Sequence, residues 1–227
     1  MENMLLLHGA IGSSRQLQPL KNLLDESYRV HSLNFHGHGG SDLPEADFSI
    51  PAFATQVIEY LDQHNIEKTN IFGYSMGGYV GMYLAKHYPD RVLKVITLGT
   101  KFYWDEKVAE KEVPQLNANL IETKLPSFAT ELEERHAPQD WKAVLEKTKT
   151  LLINLGHNNA LQLPDYSAIE NPCLVMLGDR DKMITLEETL QVYHHLPNAQ
   201  FSVLPATPHP IEKANVQLLA YLIRNFC

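Results

Sequence analysis

The stretch Thr69-Asn70-Ile71-Phe72-Gly73-Tyr74-Ser75-Met76-Gly77, followed by Gly78-Tyr79-Val80-Gly81-Met82-Tyr83-Leu84-Ala85-Lys86-His87, decides how this chain is read. An apolar strand-like run enters a five-residue turn, and a helix-like run leaves it. A serine at the apex of so tight a strand-to-helix turn is forced into strained backbone angles, and small residues two places on either side let strand and helix approach. Its hydroxyl then projects from the end of the sheet as a candidate nucleophile. The helix that starts at Met76 adds unpaired N–H groups and a positive dipole end, which suits an oxyanion forming near the Met76 amide. The competing reading of G-x-S-x-G is an ordinary glycine-rich turn.

A hydroxyl at its free pKa is a poor nucleophile, so Ser75 requires a histidine base and a carboxylate to orient it, in the order Ser, acid, His. Asn171 to Leu177 reads as a buried parallel strand running into Gly178-Asp179-Arg180-Asp181-Lys182, a loop at the strand's carboxyl end. Asp181 is taken as the acid; Asp179 lies in the same turn, and spacing alone does not choose between them. A helix over Leu186 to His195, a strand over Gln200 to Leu204 and the loop Pro205-Ala206-Thr207-Pro208-His209-Pro210 follow, then a last amphipathic helix to Phe226. His209 therefore sits after the final strand, where it completes the order. A second oxyanion donor is expected from Ala10. Met4 to Leu7 is a short apolar strand, and Gly9 behind it lets the Ala10 N–H face the same point as the Met76 N–H. His8, at the root of that loop, is read as structural, its ring nitrogens bonded to backbone.

Taken together, Leu5-Leu6-Leu7-His8-Gly9, Asn34 to Ser41, the serine turn, Tyr88-Pro89-Asp90-Arg91-Val92, Gly178 to Asp181 and His209 resemble the α/β-hydrolase superfamily over nearly the whole chain. What the resemblance implies is a nucleophile at Ser75, an acid at Asp181, a base at His209 and an oxyanion hole from the Ala10 and Met76 amides. One departure lies in Asn34-Phe35-His36-Gly37-His38-Gly39-Gly40-Ser41, where the family more often has Asp first and Pro third. Asn keeps an acceptor oxygen and loses the charge, so the bonding of this loop is expected to differ.

Strands over Met4 to Leu7, Tyr28 to Leu33, Thr69 to Phe72, Leu93 to Leu98, Cys173 to Leu177 and Gln200 to Leu204 alternate with helical segments. That alternation marks an α/β fold with a parallel sheet covered on both faces. The family usually has an antiparallel hairpin ahead of the first of these strands, and only three residues precede it here, so a minimal six-stranded, all-parallel sheet is expected. The chain is read as a single domain over 1–227, with a core of 1–99 and 168–227 and an inserted helical cap at 100–167. The insertion is charged and helical, as over Ser127 to His136 and Gln139 to His157, with prolines at 114, 126, 138 and 164. Ile11, Tyr74, Phe102, Trp104 and Trp141 are candidate pocket residues, with core packing the alternative for the last three. Lys101 and Lys182 are the cations nearest the site in sequence, and each reads equally as a solvated side chain.

With 227 residues, 44% of them hydrophobic, the chain is long enough for one sizeable core. The net charge of −8 argues against nucleic acid, whose phosphates would need a basic patch. Neither a signal peptide nor a membrane span is read at the N-terminus. The two cysteines, one in a buried strand and one at the C-terminus, fit a reducing cytoplasm. His36-x-His38 lacks a third ligand, so no metal and no cofactor are expected. The function read here is hydrolysis of carboxylic esters or thioesters of small to medium acyl groups by a small-molecule serine hydrolase, with a homodimer left open. Two alternatives stand beside it. One is a carbon–carbon lyase or hydrolase resembling the menaquinone-pathway synthase, although Tyr79 stands where that enzyme type usually carries arginine. The other is a catalytically silent binding protein on the same fold.

Overall fold

The computed structural model describes residues 1–227. Six strands form one sheet: β1 (Asn3–Leu7), β2 (Arg29–Ser32), β3 (Thr69–Tyr74), β4 (Val92–Leu98), β5 (Cys173–Gly178) and β6 (Ala199–Leu204). Their spatial order is β2-β1-β3-β4-β5-β6, and every neighbouring pair is parallel. The six-stranded parallel sheet expected from the sequence is therefore observed.

Alternation along each strand feeds two cores. Leu5, Leu7, Ile71, Val95, Cys173 and Val175 face one side, where helices α2 (Ile50–Gln63), α3 (Met76–His87) and α8 (Leu186–His195) pack. Met4, Leu6, Phe72, Ile96, Leu174 and Met176 face the other, against α1 (Gln18–Leu24) and α9 (Val216–Phe226). Helix α2 shows why these segments are helical. Ser49 caps it by accepting from the Ala52 N–H, Pro51 sits in its first turn, and Ile50, Phe53, Ala54, Val57 and Leu61 form the buried stripe. No helix is long and apolar enough to cross a membrane.

The connection from β4 to β5 carries α4 (Glu106–Glu112), α5 (Ala118–Lys124), α6 (Pro126–His136) and α7 (Trp141–His157). The last two match the helical stretches expected there. Both of the first two are short, the first of them mostly charged, and they hold only Ala109, Glu112 and Ile121 buried, so little apolar periodicity announced them. Helices α5, α6 and α7 build a small core of their own from Ile121, Ala129, Leu132, Trp141 and Leu145.

The chain runs out from β1 to β2 and returns to β3 on the other side of β1. Loops leaving the carboxyl ends of β1 and β3 thus diverge, and such a switch point opens a crevice at that edge. The two elements touch closely there. A methyl group on Gly77, in the first turn of α3, would overlap the backbone carbonyls of Leu7 and His8. Gly77→Ala is expected to destabilise the fold by about 1–3 kcal/mol, because backbone has to move. An unchanged urea midpoint for this variant would remove the close-approach argument.

Candidate active site

Ser75 follows the last residue of β3 and caps α3, at φ 52° and ψ −119°. Four hydrogen bonds hold this conformation. Its N–H donates to Leu98 O (2.9 Å), and its carbonyl accepts from Gly78 N–H (3.0 Å), Tyr79 N–H (3.3 Å) and Thr100 Oγ1 (3.1 Å). Ser75 and Met76 are half-buried while Gly77 and Gly78 are buried, so the hydroxyl lies at the exposed end of the element. The Met76 N–H opens α3 and lacks an intrahelical acceptor.

Asp181 and His209, the expected acid and base, come together. His209 Nδ1 donates to Asp181 Oδ2 at 2.7 Å, with the Asp181 side chain 2% exposed and His209 13%. The other carboxylate oxygen accepts from the amides of Met183 (2.8 Å) and Ile184 (3.0 Å). Burial opposes ionisation of Asp181, but the hydrogen bond and charge of His209 and the two amides outweigh it and hold the carboxyl below its ordinary value. Asp179 has a different task. It is exposed, and its Oδ1 accepts from Thr207 N–H (3.0 Å), closing the loop that carries His209. With Nδ1–H given to Asp181, Nε2 of His209 is left with a lone pair. Ser75 Oγ forms no hydrogen bond within the protein, so the serine–histidine bond is not made in this unliganded geometry.

Gly99, which sequence reasoning passed over, and Tyr74, expected there only as a pocket residue, join these parts. Gly99, at φ 60°, lies directly after β4, and a Cβ there would stand 3.2 Å from Asp181 Oδ2 and 3.4 Å from His209 Nδ1. Only glycine gives that backbone freely and leaves room for the pair. Tyr74 donates its hydroxyl to His209 O (3.0 Å), and its ring stands 5.5 Å from the imidazole. A glycine just past a strand is a sequence signal that would have found Gly99; the Tyr74 bond spans 135 residues and leaves none.

The loop after β1 is closed by Gly12 N–H donating to Gly9 O (3.1 Å). His8 sits beneath it as expected. Its Nδ1 donates to Gly9 O (2.7 Å) and its Nε2 accepts from Phe35 N–H (3.1 Å), which fixes a neutral tautomer. In a trans peptide the carbonyl and the following N–H point opposite ways, so anchoring Gly9 O aims the Ala10 N–H. That N–H has no acceptor within the protein. Asn34 explains its departure from the family pattern. Oδ1 accepts from Ser14 N–H (2.7 Å) and Nδ2 donates to Gly39 O (2.9 Å), and an aspartate could not supply the second bond.

The remaining expected residues fall in three places. Ile11 is half-buried at the rim, at φ 50°. Phe102 is buried edge-on against Tyr166, and Trp141 in the small core of the insertion, so both are packed side chains. Trp104 is half-buried against the main core with Lys101 Nζ 6.0 Å from its ring. Lys101 itself is bonded to Met183 O (3.1 Å) and lies 3.5 Å from Glu188, while Lys182 is exposed. No group of three or more His, Cys, Asp or Glu side chains converges with metal-binding geometry.

The sequence profile of the alpha/beta hydrolase fold matches residues 2–211. The chain belongs to the α/β-hydrolase family. Among its relatives is a 3-oxoadipate enol-lactonase of Acinetobacter baylyi, 27% identical over 197 residues that cover 80% of this chain and 72% of the relative. A second, the (E)-2-((N-methylformamido)methylene)succinate hydrolase of the same organism, is 26% identical and covers 97% and 90%. The crystal structure of an enol-lactonase from Burkholderia xenovorans LB400 superposes with a TM-score of 0.82 at 18% identity, over 99% of this chain and 90% of that one. That likeness is one of fold.

A row of buried imidazoles runs beneath the Gly9–Gly12 loop. His8, His38 and His136 have ring centroids 5.3 Å and 5.7 Å apart in sequence. Burial foremost lowers His8 and His136 from 6.5 to about 4 each, and His38 falls well below its ordinary value for the same reason. All three are neutral when folded and titrate in the unfolded chain, which binds more protons as pH drops. Stability from this row is thus fully present above about pH 6.5 and falls as pH decreases towards about 4. Urea midpoints measured across that range are expected to drop steeply, and a flat profile would contradict the neutral row.

Proposed function

We propose that this chain hydrolyses neutral carboxylic esters or thioesters of small to medium acyl groups, with Ser75 as nucleophile, His209 as base and Asp181 as the group orienting it. The observation that carries this reading is the 2.7 Å bond between His209 Nδ1 and a buried Asp181, presented at the same sheet end as a serine held at φ 52°. Attack of Ser75 Oγ on the ester carbonyl passes its proton to His209 Nε2. The Ala10 and Met76 amides receive the oxyanion; one such donor is worth about 3 kcal/mol in comparable sites. The leaving alcohol takes the proton from His209, and water then hydrolyses the acyl-enzyme by the same route. The family membership and the names of the relatives, an enol-lactonase and a hydrolase, support hydrolytic acyl chemistry. A reducing cytoplasm remains the setting proposed, from the unpaired Cys173 and Cys227.

Tyr79 weighs against the lyase alternative. Arginine in that place would present a charge to an anionic substrate, whereas Tyr79 is buried, its hydroxyl bonded to Asn159 and accepting from Leu161 N–H at 2.9 Å. It ties the end of the insertion to α3 instead. An intact Ser75, Asp181 and His209 likewise weighs against a silent binding protein.

A fluorophosphonate followed by peptide mass spectrometry is expected to label Ser75, and Ser75→Ala to lower kcat by on the order of 10⁴-fold or more. Folded protein left unlabelled would end this reading. Across p-nitrophenyl esters, neutral acyl groups should turn over faster than carboxylate-bearing ones; the reverse order would favour the lyase-like alternative.

Residues 100–167 are proposed as a cap that closes over the bound acyl group, on the support of their helices lying between β4 and β5 beside the site. Hydrogen exchange should show added protection over 102–157 when Ser75 carries a covalent inhibitor. Unchanged exchange there would mean a rigid wall.

A further inference from the structure

Ile11 is a β-branched residue at φ 50°, a conformation such side chains rarely adopt. A strained residue of this kind persists only when its surroundings over-determine it. The restraint comes from far along the chain. The Ile11 carbonyl accepts from Arg135 Nη1 at 2.8 Å and from His136 Nε2 at 3.1 Å, two donors 124 and 125 residues away at the end of α6. Both donors are themselves fixed. The Arg135 side chain is 9% exposed, paired with Glu131 and 4.0 Å from Glu212, three residues beyond His209. His136 is buried, and its Nδ1 accepts from Gly39 N–H at 3.2 Å, which leaves the ring proton on Nε2 for Ile11.

The loop that carries Ala10 is anchored at two carbonyls. Gly9 O is held from below by His8 and Gly12 N–H, and Ile11 O from α6. Ile11 O shares its peptide unit with the Gly12 N–H, so the two donors from α6 aim that N–H at Gly9 O, and Gly9 O in turn orients the Gly9–Ala10 peptide that carries the Ala10 N–H. We propose that Arg135 and His136 are positioning residues for the oxyanion donor, so that docking of α6 on the Gly9–Gly12 loop sets the strength of the oxyanion hole. This rests on the acyl-transfer reading of the site. Neither side chain is asked to touch the substrate; the geometry has them act through Ile11 O on the Ala10 N–H.

The difference from a plain stability role lies in which kinetic constant moves. A misaimed oxyanion donor costs transition-state stabilisation and leaves ground-state binding of a small ester nearly as it was. With full-length protein and p-nitrophenyl acetate, Arg135→Ala is expected to lower kcat by about 10-fold or more with KM within about twofold. Arg135→Lys, which keeps one charged donor, should recover part of the loss. A loss in Arg135→Ala confined to KM, or an unchanged kcat, overturns the proposal.

Backbone amide spectra give a readout that does not depend on turnover. In Arg135→Ala, and separately in His136→Gln, the Ala10 and Gly12 amide resonances should shift and exchange faster, while distant β6 amides stay in place. Unmoved Ala10 and Gly12 amides in folded variants overturn the proposal even if the wild-type protein hydrolyses no ester. In that last case the acyl-transfer reading fails by the missing turnover, and the linkage from α6 to the loop is judged by the amides alone.

Discussion

The site depends on one backbone constraint, the left-handed conformation of Ser75 wedged between β3 and α3. A non-glycine residue there costs on the order of 1–3 kcal/mol, and the surroundings hold it with bonds that lead directly to the other parts. Its N–H reaches Leu98 at the end of β4, and its carbonyl accepts from Thr100 just beyond. Between those two residues stands Gly99, against Asp181 and His209. The strain at Ser75 is thus offset by the same short segment that makes room for Asp181 and His209. Gly77 closes the other side, where α3 meets the last carbonyls of β1 and hence the root of the oxyanion loop.

Asp181 shows how burial and ionisation are reconciled at the opposite edge. A carboxylate shut away from water is costly unless its oxygens are filled. Here one oxygen takes the imidazole and the other takes two amides of the turn that follows. The turn is thereby a consequence of the charge as well as its support. Asp179 performs a lesser version of the same task in the open, pinning Thr207 so that the His209 loop returns to the right height. Two aspartates in one turn divide the labour by exposure, and that division is a matter of tertiary structure that their spacing does not carry.

How much could be read from the chain follows from how local each signal is. The six strands and their parallel direction were legible because apolar runs alternate with helical ones, and strand bounds differ by only a residue or two from those observed. Ser75, Asp181 and His209 were legible because each lies just past a strand end, where topology alone brings them to one edge. Phe102 and Trp141 were ambiguous because an aromatic side chain in a helical insertion looks the same whether it lines a pocket or packs a core. Asn34 was readable as a departure, but its second bond, from Nδ2 to Gly39 O, needed the loop's shape. Arg135 and His136 lay beyond reach altogether, since nothing in α6 marks a partner 124 residues upstream.

The cations near the site belong to its framework. Lys101 gives its ammonium to Met183 O and Glu188, beside the turn that supports Asp181. Arg135 gives its guanidinium to Ile11 O and to the carboxylates of Glu131 and Glu212. Each bridges a loop carbonyl to a carboxylate elsewhere, so its charge is compensated within the protein. A substrate carboxylate would have to displace one of these partners or be desolvated with Asp181 close by, and the repulsion between two like charges grows as water leaves. Both cations are thus engaged by protein partners, and this supports the proposed preference for neutral esters over carboxylate-bearing ones.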